Sequence, residues 1–102
     1  MTFYHGTNKE SWDAIQKEGI LFGRRISPIT GKEISRCTYL ATNLEEAKQY
    51  GNVVLKVTYN PLDNKGNVKK DKRGIPINNY IKDCWQVRVY EPISLSNIER
   101  II

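Results

Sequence analysis

Three short stretches of the chain carry the residues best suited to chemistry. The first is Phe-Tyr-His-Gly-Thr near the start, which holds His5, the only histidine among the 102 residues. The second opens with Tyr39 as Tyr-Leu-Ala-Thr, and Tyr50 follows it eleven positions later. The third is Cys-Trp-Gln-Val-Arg-Val-Tyr, whose polar residue of interest is Gln86. A lone histidine in a strand more often has a structural role than a catalytic one, so the surrounding elements decide how His5 is interpreted.

Capping patterns predict the elements that hold these stretches. Residues 2–5 are expected to form a strand, and the Thr-Asn-Lys-Glu that follows has the form of a capping box, in which Thr7 caps a helix from about Lys9 to Glu18 that Gly19 ends. The Thr-Asn-Leu-Glu that starts at Thr42 repeats this pattern and opens a second helix, predicted to end at Tyr50. His5 is therefore expected at a strand end, held rigidly by the helix that follows.

The remaining pattern predicts a small α+β fold. Residues 37–41, 53–59 and 84–90 are predicted strands, and residues 23–36 are expected to be a long loop with a functional role and a small hairpin. Five strands and two short helices in this order favour antiparallel sheet, because strands and helices do not alternate as a parallel doubly wound fold requires. We expect one domain over residues 1–102, without internal repeats.

Composition limits the classes of partner. The net charge of +5 and the pI near 9.3 favour polyanionic partners, although the most basic stretch, residues 65–73, is more typical of a solvated loop than of a dedicated contact. Cys37 and Cys84 lie in no metal-binding pattern, so neither a disulfide framework nor structural zinc is expected. The sequence has no bilayer-spanning apolar run and no signal-peptide pattern, so we expect a cytoplasmic protein with no membrane partner.

Taken together, the three stretches resemble the ADP-ribosyltransferase superfamily, in its histidine–tyrosine–glutamate branch (diphtheria-toxin-like and poly-ADP-ribose-polymerase-like). The first motif of that branch is a strand ending in His-Gly-Thr or His-Gly-Ser. The second is a strand-helix unit that begins with Tyr and an apolar residue and has another Tyr eleven positions later, as Tyr39 and Tyr50 are here. The resemblance covers nearly the whole chain and implies an ADP-ribosyltransferase-like split antiparallel β-sheet core with two or three short helices.

The resemblance also implies a site for NAD, used as a co-substrate. His5 would hold the ribose of the adenosine half, the Gly6 backbone would bind the nicotinamide carboxamide, and Tyr39 and Tyr50 would stack on the two faces of the pyridinium ring. Thr7 and Arg24 would be further NAD-binding residues. This assignment is chemically sound, because a flat cation is favoured between aromatic faces and one peptide group can serve both the donor and the acceptor of a carboxamide.

The third motif departs from the family pattern. Active members carry a glutamate near the start of a late strand, where its charge stabilises the cation that develops as nicotinamide leaves. Gln86 aligns with that position here and brings no charge, so the implied catalytic set is His5, Tyr39 and Gln86. Glu91 is the nearest carboxylate along the chain, five residues beyond Gln86, on what would be the opposite face of the strand.

Three functions remain open from the sequence. The first is a small NAD-dependent mono-ADP-ribosyltransferase that modifies an unidentified macromolecular acceptor, protein or nucleic acid, and releases nicotinamide. The second is a non-catalytic relative that binds NAD, ADP-ribose or a protein partner, in an accessory or inhibitor role. The third is a basic nucleic-acid-binding module that uses residues 65–73 with Arg24 and Arg25. An RNA 2′-phosphotransferase-like protein, which would draw on Arg24, Arg25, Arg36 and Arg88, is a variant of this third class.

Overall fold

The computed structural model of the protein describes residues 1–23 and 25–102. Its elements follow one another in this order: β1 (Thr2–Thr7), α1 (Lys9–Glu18), β2 (Ile20–Leu21), β3 (Arg25–Ile26), β4 (Glu33–Ser35), β5 (Thr38–Ala41), α2 (Leu44–Lys48), β6 (Val53–Thr58), β7 (Gln86–Val89), β8 (Ile93–Ser94), a short 3₁₀ turn (Leu95–Asn97) and β9 (Ile98–Arg100). The fold is α+β, as the sequence predicts, with two α-helices among the described residues.

The main sheet is antiparallel and has five strands in the order β7-β5-β1-β6-β9. Its centre is the pairing of β1 with β6, which joins six residue pairs in register. Four of its strands match predicted ones. The fifth, β9, adds to the edge of β6, where the sequence indicates only a short C-terminal element. The smaller pairs β2–β8 and β3–β4 lie outside this sheet, and β3–β4 supplies the hairpin predicted within the long loop.

The hydrophobic core lies on the face of the sheet that α1 covers. Alternate strand residues project to this face because side chains in a strand point to opposite sides in turn. It buries the following side chains: Phe3, Leu40, Leu55, Val57, Val87 and Val89 from the sheet, with Trp12 and Ile15 from α1. Each large apolar side chain buried there contributes about 1.5–3 kcal/mol. The other face carries a smaller cluster of Ala41, Ala47 and Val54 at α2.

The helix predicted from about Lys9 to Glu18 is confirmed as α1, but in both helices the N-cap lies one residue later than the capping box indicates. Asn8 is the N-cap of α1, where its side chain accepts from the Ser11 amide at 2.8 Å, and Asn43 caps α2 in the same way. Thr7 remains in β1 as the partner of Val53. Thr42 is held by the Trp85 carbonyl, which accepts from both its amide and its hydroxyl. The threonines are therefore committed to sheet contacts, and the asparagines take over the capping.

Residues 61–79 form a loop segment beside β7 that contains two similar turns. In Asp63-Asn-Lys-Gly and again in Asp71-Lys-Arg-Gly, the aspartate Oδ1 accepts from the amides two and four residues on. The glycine in each has a φ near +80°, which favours glycine. Two equivalent turns therefore follow each other eight residues apart, at Asp63 and at Asp71.

Asn78 anchors this loop segment to the core. Its side-chain amide donates to the Tyr59 hydroxyl at 3.3 Å and to the Pro61 carbonyl at 3.0 Å, while its Oδ1 accepts from the Tyr80 amide. Asn78 is buried, and burial raises the pKa of Tyr59 to about 12, against the effect of the hydrogen bond from Asn78. A buried amide with its hydrogen bonds satisfied in this way specifies one arrangement of the segment.

Candidate functional site

The candidate site lies where β1 and β5 separate. In the described part of the chain, Tyr4 and Ala41 are the one pair in register between these two strands. Past that pair, residues of both strands line a pocket of about 120 Å³. The sheet is therefore open on one side of β1 while the other side remains fully paired with β6.

This pocket gathers five of the seven residues that the sequence assigns to the site. It is lined by His5, Gly6, Tyr39, Tyr50 and Gln86, together with Tyr4, Leu40, Ala41 and Ala47. They come from β1, β5, β7 and the end of α2, so three separate stretches of sequence meet at one place. A volume of about 120 Å³ is below the roughly 300–1,000 Å³ that encloses a drug-sized ligand. The pocket itself therefore suits one ring rather than a whole dinucleotide.

The His5 side chain bridges the opening between the strands. Its Nδ1 lies 2.8 Å from the Tyr39 carbonyl oxygen. Because a carbonyl oxygen only accepts, Nδ1 carries the proton, and in the neutral ring Nε2 is left as an acceptor. Burial lowers the pKa of His5 below its ordinary value of 6.5, and the hydrogen bond to Tyr39 acts in the opposite direction. At neutral pH the imidazole is therefore uncharged, with Nε2 able to accept a hydrogen bond from a hydroxyl group.

The peptide groups of Gly6 are directed toward the opening. The Tyr59 amide donates to the Met1 carbonyl at 3.0 Å, which extends the β1–β6 ladder by one pair. Alternate residues of a strand turn their N–H and C=O to the same side. Odd-numbered residues of β1 therefore face β6, while Tyr4 and Gly6 face β5, and past Tyr4 the pairing with β5 has ended.

Gly6 is also required by packing. A Cβ at this position would overlap the Ala47 carbonyl oxygen of α2. The glycine allows the end of α2 to sit directly on β1, and this contact is what brings Tyr50 over the pocket. The residue therefore has a structural reason to be glycine in addition to the role implied by the resemblance.

The two tyrosines are exposed at the pocket instead of buried in the core. Tyr39 is 42% exposed and Tyr50 is 57% exposed. The sequence leaves core packing open as an alternative for Tyr50, which it places on the inner side of a helix end. The structure contradicts that alternative, because α2 ends at Lys48 and Tyr50 lies on the surface beyond it. Both rings are available to a ligand.

Gln86 begins β7 and lies directly opposite Ala41. It is half-buried and lines the pocket, at the place where the sequence alignment puts the third motif. Glu91 lies beyond the end of β7 and is not among the residues that line this pocket within the described chain. The pocket has no carboxylate, lysine or arginine among its described lining residues.

A second and larger cavity shares the wall formed by His5. It measures about 370 Å³ and is lined by Thr7 and by residues of α1, β2 and the following turn, including Ser11, Ile15 and Phe22. Thr7, which the sequence assigns to the site, therefore lies in this cavity and not in the smaller pocket. Sequence reasoning missed both Ser11 and Tyr4. Tyr4 could have been found, because it shares a strand face with Gly6.

The arginines named from the sequence do not form one cluster. Arg24 and the side chain of Arg25 lie outside the described residues. Arg36 stacks on Phe22 at 4.1 Å from the ring centroid and donates to the Phe22 carbonyl. Arg88 lies on the other side of the site, with its guanidinium 5.4 Å from the centroid of the Tyr39 ring. Among the arginines with described side chains, only Arg88 is therefore next to a predicted site residue.

Comparisons of the chain with protein-family models, curated proteins and solved structures each gave no match. Within the described ranges, no group of three or more His, Cys, Asp or Glu side chains is placed to hold a metal ion. The same residues include no helix long and apolar enough to cross a bilayer. The geometry of the pocket is thus the basis on which a function can be proposed.

Proposed function

We propose that this protein is a small NAD-dependent ADP-ribosyltransferase, with an ADP-ribosyltransferase-like split sheet, that binds the nicotinamide of NAD in the pocket between β1 and β5. The observation that carries the proposal is the meeting of His5, Gly6, Tyr39, Tyr50 and Gln86 around one opening. These residues come from three separate stretches of sequence, and packing alone gives no reason for them to meet at one pocket.

The residues around the pocket fit the parts of NAD. Tyr39 and Tyr50 offer exposed rings to a flat cation, which aromatic faces attract. The Gly6 peptide groups, directed at the opening, suit a carboxamide because one backbone segment provides both a donor and an acceptor. The Nε2 acceptor of His5 suits a ribose hydroxyl. The cavity of about 370 Å³ on the far side of His5 offers room for the remainder of the dinucleotide.

NAD would supply a glycosidic bond whose cleavage releases nicotinamide and exposes the ribose carbon to an acceptor. The chain orients this bond by holding the ring between Tyr39 and Tyr50, with the ribose near Gln86. A glutamine can accept a hydrogen bond from a ribose hydroxyl but adds no negative charge beside the developing cation. Losing one such electrostatic contact typically costs about a hundred-fold to a thousand-fold in rate. We therefore expect slow turnover.

The absence of a carboxylate from the described lining of the pocket favours a second candidate function. In that case the protein binds NAD or ADP-ribose through the same residues without transfer, as a sensor or an inhibitor. The two candidates share the pocket and differ only in the bond-breaking step. One sample can therefore distinguish them.

The test is a calorimetric titration with NAD, with nicotinamide release followed chromatographically on the same sample. Binding with release supports the transferase, and binding without release supports the non-catalytic function. Tyr39→Ala should weaken binding at least ten-fold, whereas Tyr90→Ala should leave it unchanged. Tyr90 is a matched control because it has the same exposure of 42% and lies outside the pocket. Failure of the wild-type protein to bind NAD, or equal losses in both variants, would refute the proposal.

A further inference from the structure

The face of the sheet that carries Tyr39 continues outward past the pocket. Arg88 lies directly opposite Tyr39 on β7, so both side chains project to the same face. The Arg88 guanidinium lies over the Tyr39 ring, 5.4 Å from its centroid, while Arg88 is not among the residues lining the pocket. An exposed cation therefore stands at the rim of the pocket, stacked on one of its tyrosines.

Residues 77–79 pair with β7 and extend this face beyond it. Asn78 pairs with Val89, and the flanking bonds join the Asn79 amide to the Arg88 carbonyl and the Tyr90 amide to the Ile77 carbonyl. Asn79 is thus opposite Arg88, and Ile77 is one pleat further along the same face. The segment continues the sheet by one more strand position beyond β7.

One hydrogen bond joins Ile77 to Lys69. The Ile77 amide donates to the Lys69 carbonyl at 3.0 Å, next to the bridge between Lys70 and Pro76. The chain bends at Ile77, so this bond places Lys69 beside Ile77 without extending the pleated face of β7. Ile77 and Lys69 line an open groove of about 660 Å³ together with Asp63, Asn67, Val68 and Lys70. This groove adjoins the face of Arg88 through Ile77.

This outer groove is the most basic part of the described surface. Residues 61–75 contain five lysines and arginines against two aspartates, which leaves +3 of the net charge of +5 on fifteen residues. Both aspartates are turned into their own loops, where they accept from backbone amides. The cations at the loop tips, Lys65, Lys72 and Arg73, are exposed. Asp71 Oδ2 also lies 3.5 Å from a terminal guanidinium nitrogen of Arg73, so Arg73 is paired and the outward positive charge comes mainly from the lysines.

From these observations we propose that the surface from Tyr39 through Arg88 and Ile77 to Lys69 and the two basic loops binds single-stranded nucleic acid, which is the acceptor for ADP-ribose. We name these residues the basic track. The acceptor role rests on the proposed function of the pocket, whereas the binding of nucleic acid does not. Basic side chains beside exposed aromatic rings are the combination that binds single strands, because phosphates meet the cations and bases stack on the rings. Tyr90, which is 42% exposed and opposite Ile77, supplies such a ring on this face outside the nicotinamide pocket.

The transfer needs no further reactant. A nucleophilic oxygen or nitrogen of the nucleic acid forms a bond to the ribose carbon as the bond from that carbon to nicotinamide breaks. Nicotinamide leaves as a neutral molecule with the bonding electron pair on its ring nitrogen. The proton of the nucleophile is lost to solvent. Arg88, at the rim next to Tyr39, holds a phosphate of the acceptor near this reaction and is a positioning residue.

The test measures anisotropy of a fluorescent 20-nucleotide single strand, as DNA and as RNA, over a range of salt concentrations. The variant Lys69→Gln/Lys72→Gln removes two charges from the basic track, and Lys9→Gln/Lys17→Gln removes two from exposed positions on α1. We expect the track variant to lose about ten-fold in affinity and to reduce the slope of log affinity against log salt by about 1.4. The α1 variant should match the wild type.

Three results would overturn the basic track. The first is no binding of the strand by the wild type, and the second is an equal loss of affinity in both variants. The third is binding of polyglutamate that is as tight as binding of the strand and as strongly weakened by the track variant, which would indicate an acidic protein as the partner. A calorimetric NAD titration of the same samples separates the two proposals. NAD binding without nucleic-acid binding refutes the track alone. Nucleic-acid binding without NAD binding refutes the proposed function and the acceptor role, and leaves only a nucleic-acid surface. If both bind, the oligonucleotide should gain the mass of ADP-ribose.

Discussion

Replacing Gln86 with glutamate tests most directly whether the pocket carries out the proposed transferase reaction. Gln86 already lies at the pocket wall, opposite Ala41 at the start of β7, so Gln86→Glu adds a charge without changing the length of the side chain. If the pocket holds the nicotinamide end of NAD, the new carboxylate stands beside the cation that develops as nicotinamide leaves. The rate of nicotinamide release should then rise.

The size of the increase follows from the new charge. A fixed group of this kind is worth about a hundred-fold to a thousand-fold in rate. Arg88 is present in the wild type as well, so its repulsion of the developing cation cancels from the comparison. Arg88 is two residues along on the same face, about 6.6 Å away by strand geometry, and it is exposed, so a water-like interaction of about 0.6 kcal/mol applies, or roughly three-fold. We expect Gln86→Glu to accelerate release about 100- to 1,000-fold, and Gln86→Glu/Arg88→Gln to gain about three-fold more.

The assay is chromatographic release of nicotinamide at saturating NAD. Asn79→Asp is the matched control, because it also converts an amide to a carboxylate beside Arg88 and its oxygen can still accept from the Arg88 amide. Asn79 does not line the pocket, so release should be unchanged. An unchanged or slower rate in Gln86→Glu would show that the third motif has been misplaced. An equal gain in Asn79→Asp would show that the effect is nonspecific.

Other perturbations separate binding from folding. Because burial holds the pKa of His5 below 6.5, the unfolded chain binds a proton at this histidine at a higher pH than the folded chain does. The free energy of unfolding should therefore fall as the pH drops below about 6.5. Denaturant titrations over a range of pH should show this loss in the wild type and not in His5→Asn. Tyr50→Ala should weaken NAD binding about ten-fold by calorimetry, with a melting temperature near that of the wild type, because the ring is 57% exposed. Asn78→Ala should destabilise the fold by about 2–4 kcal/mol, measurable by thermal unfolding, because it leaves buried polar groups without their partner.

The sequence predicts the elements well where local chemistry decides them. The alternation of residues 53–59 predicts β6, and the left-handed φ of +77° at Gly19 ends α1 where a glycine is expected. The N-cap residues are wrong by one position, because Thr7 pairs with β6 and Thr42 bonds to Trp85. That competition arises between distant segments, so a capping pattern cannot reveal it.

Five of the predicted site residues meet at one pocket, but the shape of that pocket was not predictable. His5 and Tyr39 stand out by type and spacing, Gln86 is indicated by the resemblance, and all three lie at the pocket. The opening itself depends on where β1 and β5 stop pairing, which is set by tertiary contacts. The basic track also depends on tertiary contacts, since Lys69 and Arg88 are nineteen residues apart in sequence and are connected through the hydrogen bonds of Ile77 and Asn79.

At His5 the fold and the proposed function depend on the same ring. Its Nδ1 proton is committed to the Tyr39 carbonyl, so the imidazole links β1 to β5 at the place where the regular ladder has ended. The remaining nitrogen is the one that can bind a ligand. His5→Ala removes both functions and cannot tell them apart. His5→Asn keeps a donor at nearly the position of Nδ1 and removes only the acceptor. A variant that folds as the wild type does but no longer binds NAD would therefore assign ligand binding to Nε2, whereas unchanged affinity would leave His5 with the bridging role alone.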